Sequence, residues 1–310
     1  MKRSFHLCLS AHNEVMFRDQ EDYDRGFNTF ALALYKTNST GLVESFMSNH
    51  VHFLIQGESP EEFIGAFRMP YAKYFNHKYQ RSGKLGEPHH FTLEIKGLHH
   101  HLAAMSYILR NALHHGIAAI PYAYPHSSAN VIFQKEMGKS PTTDILPKAS
   151  FYRHIGRRAQ VPDSYKMSKS GLFLRESVLD IPQVENMFMT PRTFDYYMSR
   201  KTSEDWINEQ SKDGNDTPPI TLDTIESHTY MDNSKQMIVN EGGRLNYRKI
   251  TDIELCSEID KVVQYDFGKP SIYSLSLAEK KDIRDLMIKL FHPSSEQLCR
   301  CLAIDYQSDV

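Results

Sequence analysis

The chain has 310 residues, 40% hydrophobic and 24% charged, with 36 basic against 38 acidic side chains and a formal net charge of −2. That length suggests more than one domain and enough apolar surface for a packed core, and the near-neutral balance excludes a globally basic nucleic-acid binder but not a local basic face. No apolar run reaches the ~20 residues that span a bilayer, and His6, His12, Asn13 and Glu14 break any signal-peptide core, so a cytoplasmic protein with no membrane partner is expected.

Phe5 to Ser10 has strand character, and Asp22 to Tyr35 places Phe27, Phe30, Ala31 and Leu34 at helical spacing. After the turn signal Asn38-Ser39-Thr40-Gly41, Leu42 to Phe46 and His50 to Ile55 are two neighbouring strands joined around Met47 to Asn49. Ser59 caps a helix that has Pro60 at its first position and Glu61 and Glu62 in its first turn. It runs to about Tyr79, with Pro70 a candidate kink. A loop from Arg81 to Pro88 leads to a fourth strand, Phe91 to Ile95. Leu98 to His115 is then a helix, stopped by Gly116 in a left-handed cap.

This order predicts an α+β fold, an antiparallel sheet with packed helices, followed by a mostly helical C-terminal region. The expected units are 1–120, a mixed and mostly helical accessory region 121–215, and a helical region 216–310, with Ser211 to Pro219 as the linker candidate. Near the end, Ser276 and Glu279 form a capping-box pattern ahead of Ile283, Leu286, Met287 and Leu290. His292 to Ser295 is a turn, and Glu296 to Ile304 a short second helix. In a helix-turn-helix, Gln297 and Arg300 would reach the major groove of duplex DNA; a plain helical hairpin is the alternative. The four cysteines, Cys8, Cys256, Cys299 and Cys301, are expected to be reduced thiols.

Three segments carry candidate chemistry. On a strand alternate side chains share a face, so His50 and His52 lie side by side while Val51, Phe53 and Ile55 fill the other face. Two such imidazoles can share a divalent cation, or they can simply face solvent. Arg68 to Lys84 carries Arg68, Lys73, Lys78, Arg81 and Lys84 without an acid, interleaved with Tyr71, Tyr74, Phe75 and Tyr79. That mixture suits phosphates and stacked bases of a single strand, or equally an amphipathic helix with a solvated basic face. Tyr107 and Asn111, four apart on a helix, project together. They offer a phenol nucleophile and an amide oxygen for a metal, or else a core residue and a surface one. His89-His90 and His99-His100-His101 lack a completing cysteine or carboxylate, and His114-His115 suit a helix end.

Taken together these segments resemble the single-tyrosine HUH transposases, and within them the REP-associated tyrosine transposase subgroup. The resembling motifs are Met47, Asn49, His50 and His52 with the hydrophobes Phe53, Leu54 and Ile55; Phe75-Asn76 followed by Lys78, Arg81 and Gly83; and Tyr107-Ile108-Leu109-Arg110-Asn111-Ala112 followed by Gly116. Ala112 stands where that subgroup usually has proline, and Ser10-Ala11-His12-Asn13 where it often has arginine and glycine. The resemblance covers roughly residues 1 to 120.

It implies metal-dependent cleavage and strand transfer of single-stranded DNA, beside a hairpin, through a 5′-phosphotyrosine on Tyr107. His50, His52 and Asn111 would hold Mg²⁺ or Mn²⁺, and Lys73, Tyr74, Asn76, Lys78 and Arg81 would contact DNA. A nucleoid-associated homodimer fits that activity, with Tyr107 acting in its own subunit or in a partner's. The alternatives are a non-cleaving single-strand binder and a phosphodiesterase that uses water, with Tyr107 structural.

Overall fold

A computed structural model describes residues 2–140, 144–199, 203–213, 235–239 and 245–305. The chain begins with β1 (Arg3–Ser10), α1 (Gln20–Lys36), β2 (Thr40–Phe46), β3 (His50–Gly57), α2 (Pro60–Lys78), β4 (Phe91–Ile95) and α3 (Leu98–Leu109). The four strands form one sheet in the order β2-β3-β1-β4, with each neighbouring pair antiparallel. This is an α+β fold with helices on both faces of an antiparallel sheet.

The alternation in the strands decides which face receives which helix. Val51 and Phe53 of β3 and Leu7 and Leu9 of β1 point to one side, where Phe53 stacks on Phe30 of α1 at 4.7 Å. Phe63 and Phe67 of α2 close on the same ring at 5.8 and 5.0 Å. Close packing here explains a glycine inside α1: a Cβ on Gly26 would stand 2.6 Å from Phe17 Cε1. The opposite face carries His6 and Cys8 of β1 and His50, His52 and Leu54 of β3, and α3 covers it.

Helix ends follow local chemistry closely. Asp19 caps α1 and Ser59 caps α2, each accepting from a backbone N–H three residues on, and α2 runs on through Pro70. The expected helix from Leu98 to His115 differs, because it breaks at Arg110 (φ −92°, ψ 1°) and resumes as the single turn α4 (Asn111–His114). At that break the Asn111 amide meets His50. Gly116 takes the left-handed conformation (φ 62°) that ends the segment.

Beyond α4 the chain continues through short turns to α5 (Ile181–Phe188), α6 (Pro191–Ser199) and α7 (Ser203–Gln210), then a hairpin of β5 (Lys235–Val239) and β6 (Leu245–Lys249). Phe133, Phe173, Phe188 and Phe194 join the same apolar core as the sheet. The linker candidate falls largely on 214–219, outside the described residues. The last three helices, α8 (Asp252–Tyr265), α9 (Leu277–Phe291) and α10 (Ser295–Leu302), enclose a second apolar cluster built on Leu255, Ile259, Met287, Leu298 and Leu302. Both capping boxes in this region are made, at Thr251/Glu254 and at Ser276/Glu279.

These helices dock on the loop after β1. Arg18, buried in that loop, donates to Asp260 Oδ1 (2.6 Å) and to the Cys301 carbonyl (2.8 Å). All four cysteines are free thiols.

Candidate active site

The turn between β2 and β3 is tied down through its backbone: Met16 N–H donates to the Ser48 carbonyl (2.6 Å) and Ala11 N–H to that of Asn49 (2.7 Å). The Asn49 side chain is thereby placed with Oδ1 2.8 Å from His50 Nδ1. On the other side of the same ring, His50 Nε2 lies 2.9 Å from Asn111 Oδ1. The His52 ring is 5.2 Å from that of His50 and 5.3 Å, edge-on, from that of Tyr107. The structure therefore brings together all four residues, His50, His52, Tyr107 and Asn111, and buries each of them completely.

Three further histidines complete the cluster. His6 Nε2 is 3.1 Å from His52 Nδ1, the His115 ring is 5.1 Å from that of His50, and His114 stacks on Tyr107 at 5.8 Å. His6 was not among the expected site residues, although the alternation Ser4-His6-Cys8-Ser10 of β1 marks a second polar face that could have placed it. His114 and His115 carried no such signal, because the break at Arg110 redirects them.

Burial, and then the neighbouring histidines, hold His50 and His52 well below the ordinary histidine pKa. Burial first, then His100, pushes His6 down to about 3; burial, Arg110 and His115 push His114 down to about 4. At neutral pH all four rings are uncharged. A neutral imidazole has one donor and one acceptor, yet His50 sits between two amide oxygens. If Nδ1–H serves Asn49, the Nε2 lone pair faces Asn111 Oδ1 at 2.9 Å. Two ligands about 3.0 Å apart match adjacent positions on an octahedral cation with bonds of about 2.1 Å. Asn111 Nδ2 has no hydrogen-bond partner among the described residues. Turning that amide over gives an Nδ2–H···Nε2 hydrogen bond instead, so the pair closes on itself without a cation.

Two neutral imidazoles and one amide oxygen are donors that a divalent cation can take, and His50 Nε2 with Asn111 Oδ1 is the pair that already stands at ligand spacing. Among the described residues, no three His, Cys, Asp or Glu side chains converge on a cation position.

The expected DNA contacts are placed differently. Lys73, Tyr74, Asn76, Lys78 and Arg81 belong to α2 and the loop after it, whereas α2 packs on the sheet face opposite His50 and His52. Of these five, only Lys73 is exposed; the others are half-buried. Lys78 Nζ is held by Asp19, Glu21 and Asp22 at 2.7, 3.0 and 3.0 Å, and the Tyr74 hydroxyl donates to Asp22 Oδ1. Arg81 pairs with Glu14 (2.8 Å), and Asn76 Nδ2 donates to the Gly83 carbonyl. Acids remote in sequence thus pair with Lys78 and Arg81, and Tyr71, Phe75 and Tyr79 are core residues.

Gln297 and Arg300 do not face a groove either, since both are buried. Arg300 makes a bidentate pair with Asp252 (2.6 and 2.8 Å), and Gln297 Nε2 donates to Asp252 Oδ1 (2.9 Å). The helix pair is a packed hairpin. Two of the other clustered histidines are engaged structurally: His99 with Glu209, His101 with Ser4 and Gly97.

A cavity of ≈ 510 Å³ lined by Cys8, Ser10, His12, Glu87, His89 and Phe91 opens beside this cluster. Its floor, Cys8, pairs across the sheet with His52 and holds Sγ 3.9 Å from His52 Nε2.

No family model matches the chain, and no curated protein matches it. Among solved structures, the chain is similar to a REP-associated tyrosine transposase bound to a REP hairpin, at 15% identity and a TM-score of 0.37, over 53% of this chain and 90% of that one. A likeness of that size does not place the chain in a family. Among the described residues no helix is long and apolar enough to cross a membrane.

Proposed function

We propose that the chain is a metal-dependent transferase that cuts and rejoins single-stranded DNA through Tyr107. The observation that carries this reading is the meeting of His50, His52, Asn111 and Tyr107 in one buried cluster. Burying so many polar groups costs stability that apolar side chains would not. Such a cost is expected where chemistry requires it.

His50, His52 and Asn111 would hold Mg²⁺ or Mn²⁺, which supplies positive charge against the developing negative charge on phosphorus. Asn49 orients the His50 ring through Nδ1. The Tyr107 oxygen attacks phosphorus in line, breaking the P–O3′ bond and leaving a 5′-phosphotyrosine and a free 3′-hydroxyl. An ordinary phenol ionises near pH 10, so its proton must leave during attack. Burial leaves the imidazoles beside Tyr107 weakly basic, so this proton would leave to solvent, and solvent would return one to the departing 3′ oxygen. The bond energy stays in the phosphotyrosine, so a second DNA end can attack it without ATP. Because the cluster is closed, strand entry would require part of its cover to move.

A second reading, a single-strand binder that does not cut, is favoured by that complete burial. The separating experiment is incubation of the protein and its Tyr107→Phe variant with single-stranded DNA from the gene's flanking repeats and Mn²⁺, followed by a denaturing protein gel. A slower band that needs both Tyr107 and metal supports transfer. Cleavage without a band makes water the nucleophile. Binding without cleavage supports the second reading.

A further inference from the structure

We propose that His6 is a positioning residue that sets the tautomer of His52, accepting its Nδ1–H so that His52 Nε2 presents a bare lone pair to a cation. The inference rests on the metal-site reading above and adds a residue that the motifs do not contain.

His6 lies on β1, one strand from His52 and diagonal to it, since Cys8 pairs with His52 and His6 with Leu54. The two rings share one short contact, His6 Nε2 to His52 Nδ1 at 3.1 Å, and both are fully buried. The edge of Phe91 at 5.6 Å and the Tyr107 ring at 6.0 Å fix the orientation of His6. His6 is not itself a third ligand, because no three such side chains converge among the described residues.

One proton bridges the pair, and its position decides what His52 can do. If His6 donates from Nε2, His52 must carry its own proton on Nε2, directed at the weakly accepting Cys8 Sγ 3.9 Å away, and it cannot ligate a metal. If His52 donates from Nδ1, both rings carry their protons on Nδ1, and His6 Nδ1–H has no hydrogen-bond partner among the described residues. The His52 Nε2 lone pair then faces the Cys8 thiol at 3.9 Å until a cation displaces that contact. The exchange moves protons within the pair without changing its charge. Metal-bound histidines generally donate their second ring N–H to an acceptor that fixes the tautomer. Here a neutral imidazole takes that role, and Asn49 Oδ1 takes it for His50.

The test compares His6→Gln, whose side-chain oxygen falls near the position of the original Nε2 and can accept from Nδ1–H, with His6→Leu, which fills the space and accepts nothing. Mn²⁺ affinity is measured by titration calorimetry, with thermal unfolding of each variant alongside. The expected result is a loss of about 10–100-fold in His6→Leu and less than about threefold in His6→Gln. In the Mg²⁺-saturated wild type, ring ¹⁵N shifts should show His52 protonated at Nδ1 only.

Equal affinity of His6→Leu and wild type overturns the inference and leaves the metal reading intact, and so does an equal loss in both folded variants. If wild type binds no Mn²⁺ in a manner sensitive to His50→Ala and His52→Ala, both fall. Should His6→Leu fail to fold, the wild-type spectrum still decides: His52 protonated at Nε2 in the Mg²⁺ form overturns the proposal.

Discussion

Asp252→Ala tests whether the C-terminal helices are a packed unit held by a buried charge or a surface that reads DNA. The Asp252 carboxylate accepts from Arg300 Nε and Nη2 (2.6 and 2.8 Å), Gln297 Nε2 (2.9 Å) and the Ser48 hydroxyl (2.5 Å). Burial alone would push the Arg300 guanidinium below its ordinary pKa, but Asp252 beside it more than offsets that. Removing the carboxylate takes the bidentate partner from a guanidinium whose side chain is 2% exposed. Breaking a buried ion pair by deleting one member costs about 3–5 kcal/mol, with ~1 kcal/mol more for the neutral donors that lose their acceptor. That is a large part of the ~5–15 kcal/mol a whole domain has to spare, so α8 to α10 should open while the sheet stays folded. Amide hydrogen exchange reads this directly: protection should collapse in 252–302 and persist in β1 and β3. Asp252→Leu combined with Arg300→Met should recover most of the loss, because neither charge is then stranded. A loss below about 1 kcal/mol for Asp252→Ala would refute the packing argument. So would an Arg300→Met variant of unchanged stability and weakened duplex affinity.

Acid should unfold the protein early. His6, His114 and His126 have native pKa values pushed down by burial to about 3, 4 and 3, so between pH 6.5 and those values the unfolded chain binds protons the native state refuses. Stability is therefore complete above pH 6.5 and falls as pH drops, by roughly 1–2 kcal/mol per histidine between pH 7 and 5. Urea midpoints that stay flat over this range would contradict the neutral assignment. Lys78→Met should destabilise by about 1–3 kcal/mol, because it leaves the buried Asp22 carboxylate beside Asp19, whereas Lys73→Met should be nearly neutral. Paired urea titrations compare them, and equal effects would restore the view of a solvated basic stripe. Tyr107→Phe should abolish any covalent DNA adduct and shift stability by no more than about 1 kcal/mol, checked on one preparation by gel and by thermal melt.

Local signals marked the elements of the first half. Ser59-Pro60-Glu61-Glu62 places the start of α2 because capping, ring geometry and dipole all act within one turn. Phe91–Ile95 is the strand expected, and Gly116 takes the expected left-handed cap. The break at Arg110 was not legible, since nothing between Leu98 and His115 disfavours a continuous helix. The break coincides with a contact to His50, from a strand far back in the chain.

The same distinction separates the parts of the site. His50 with His52, and Tyr107 with Asn111, could be paired because a strand repeats every two residues and a helix every three to four. Their meeting across the sheet depends on the tertiary fold, which periodicity within one element does not carry. Charge is harder still. Lys78 and Arg81 look available in a window without acids, yet Asp19, Glu21, Asp22 and Glu14 reach them across the domain. Arg300 looks like a groove-reading residue until Asp252, at the start of α8, takes both its arms. A side chain that makes an ion pair can do so with any partner the fold brings near, so a basic residue in a helix marks a nucleic-acid surface only once its acids are accounted for. Histidines escape this ambiguity when the pattern places them on a buried face, because a buried imidazole has to be partnered, and its partners are few.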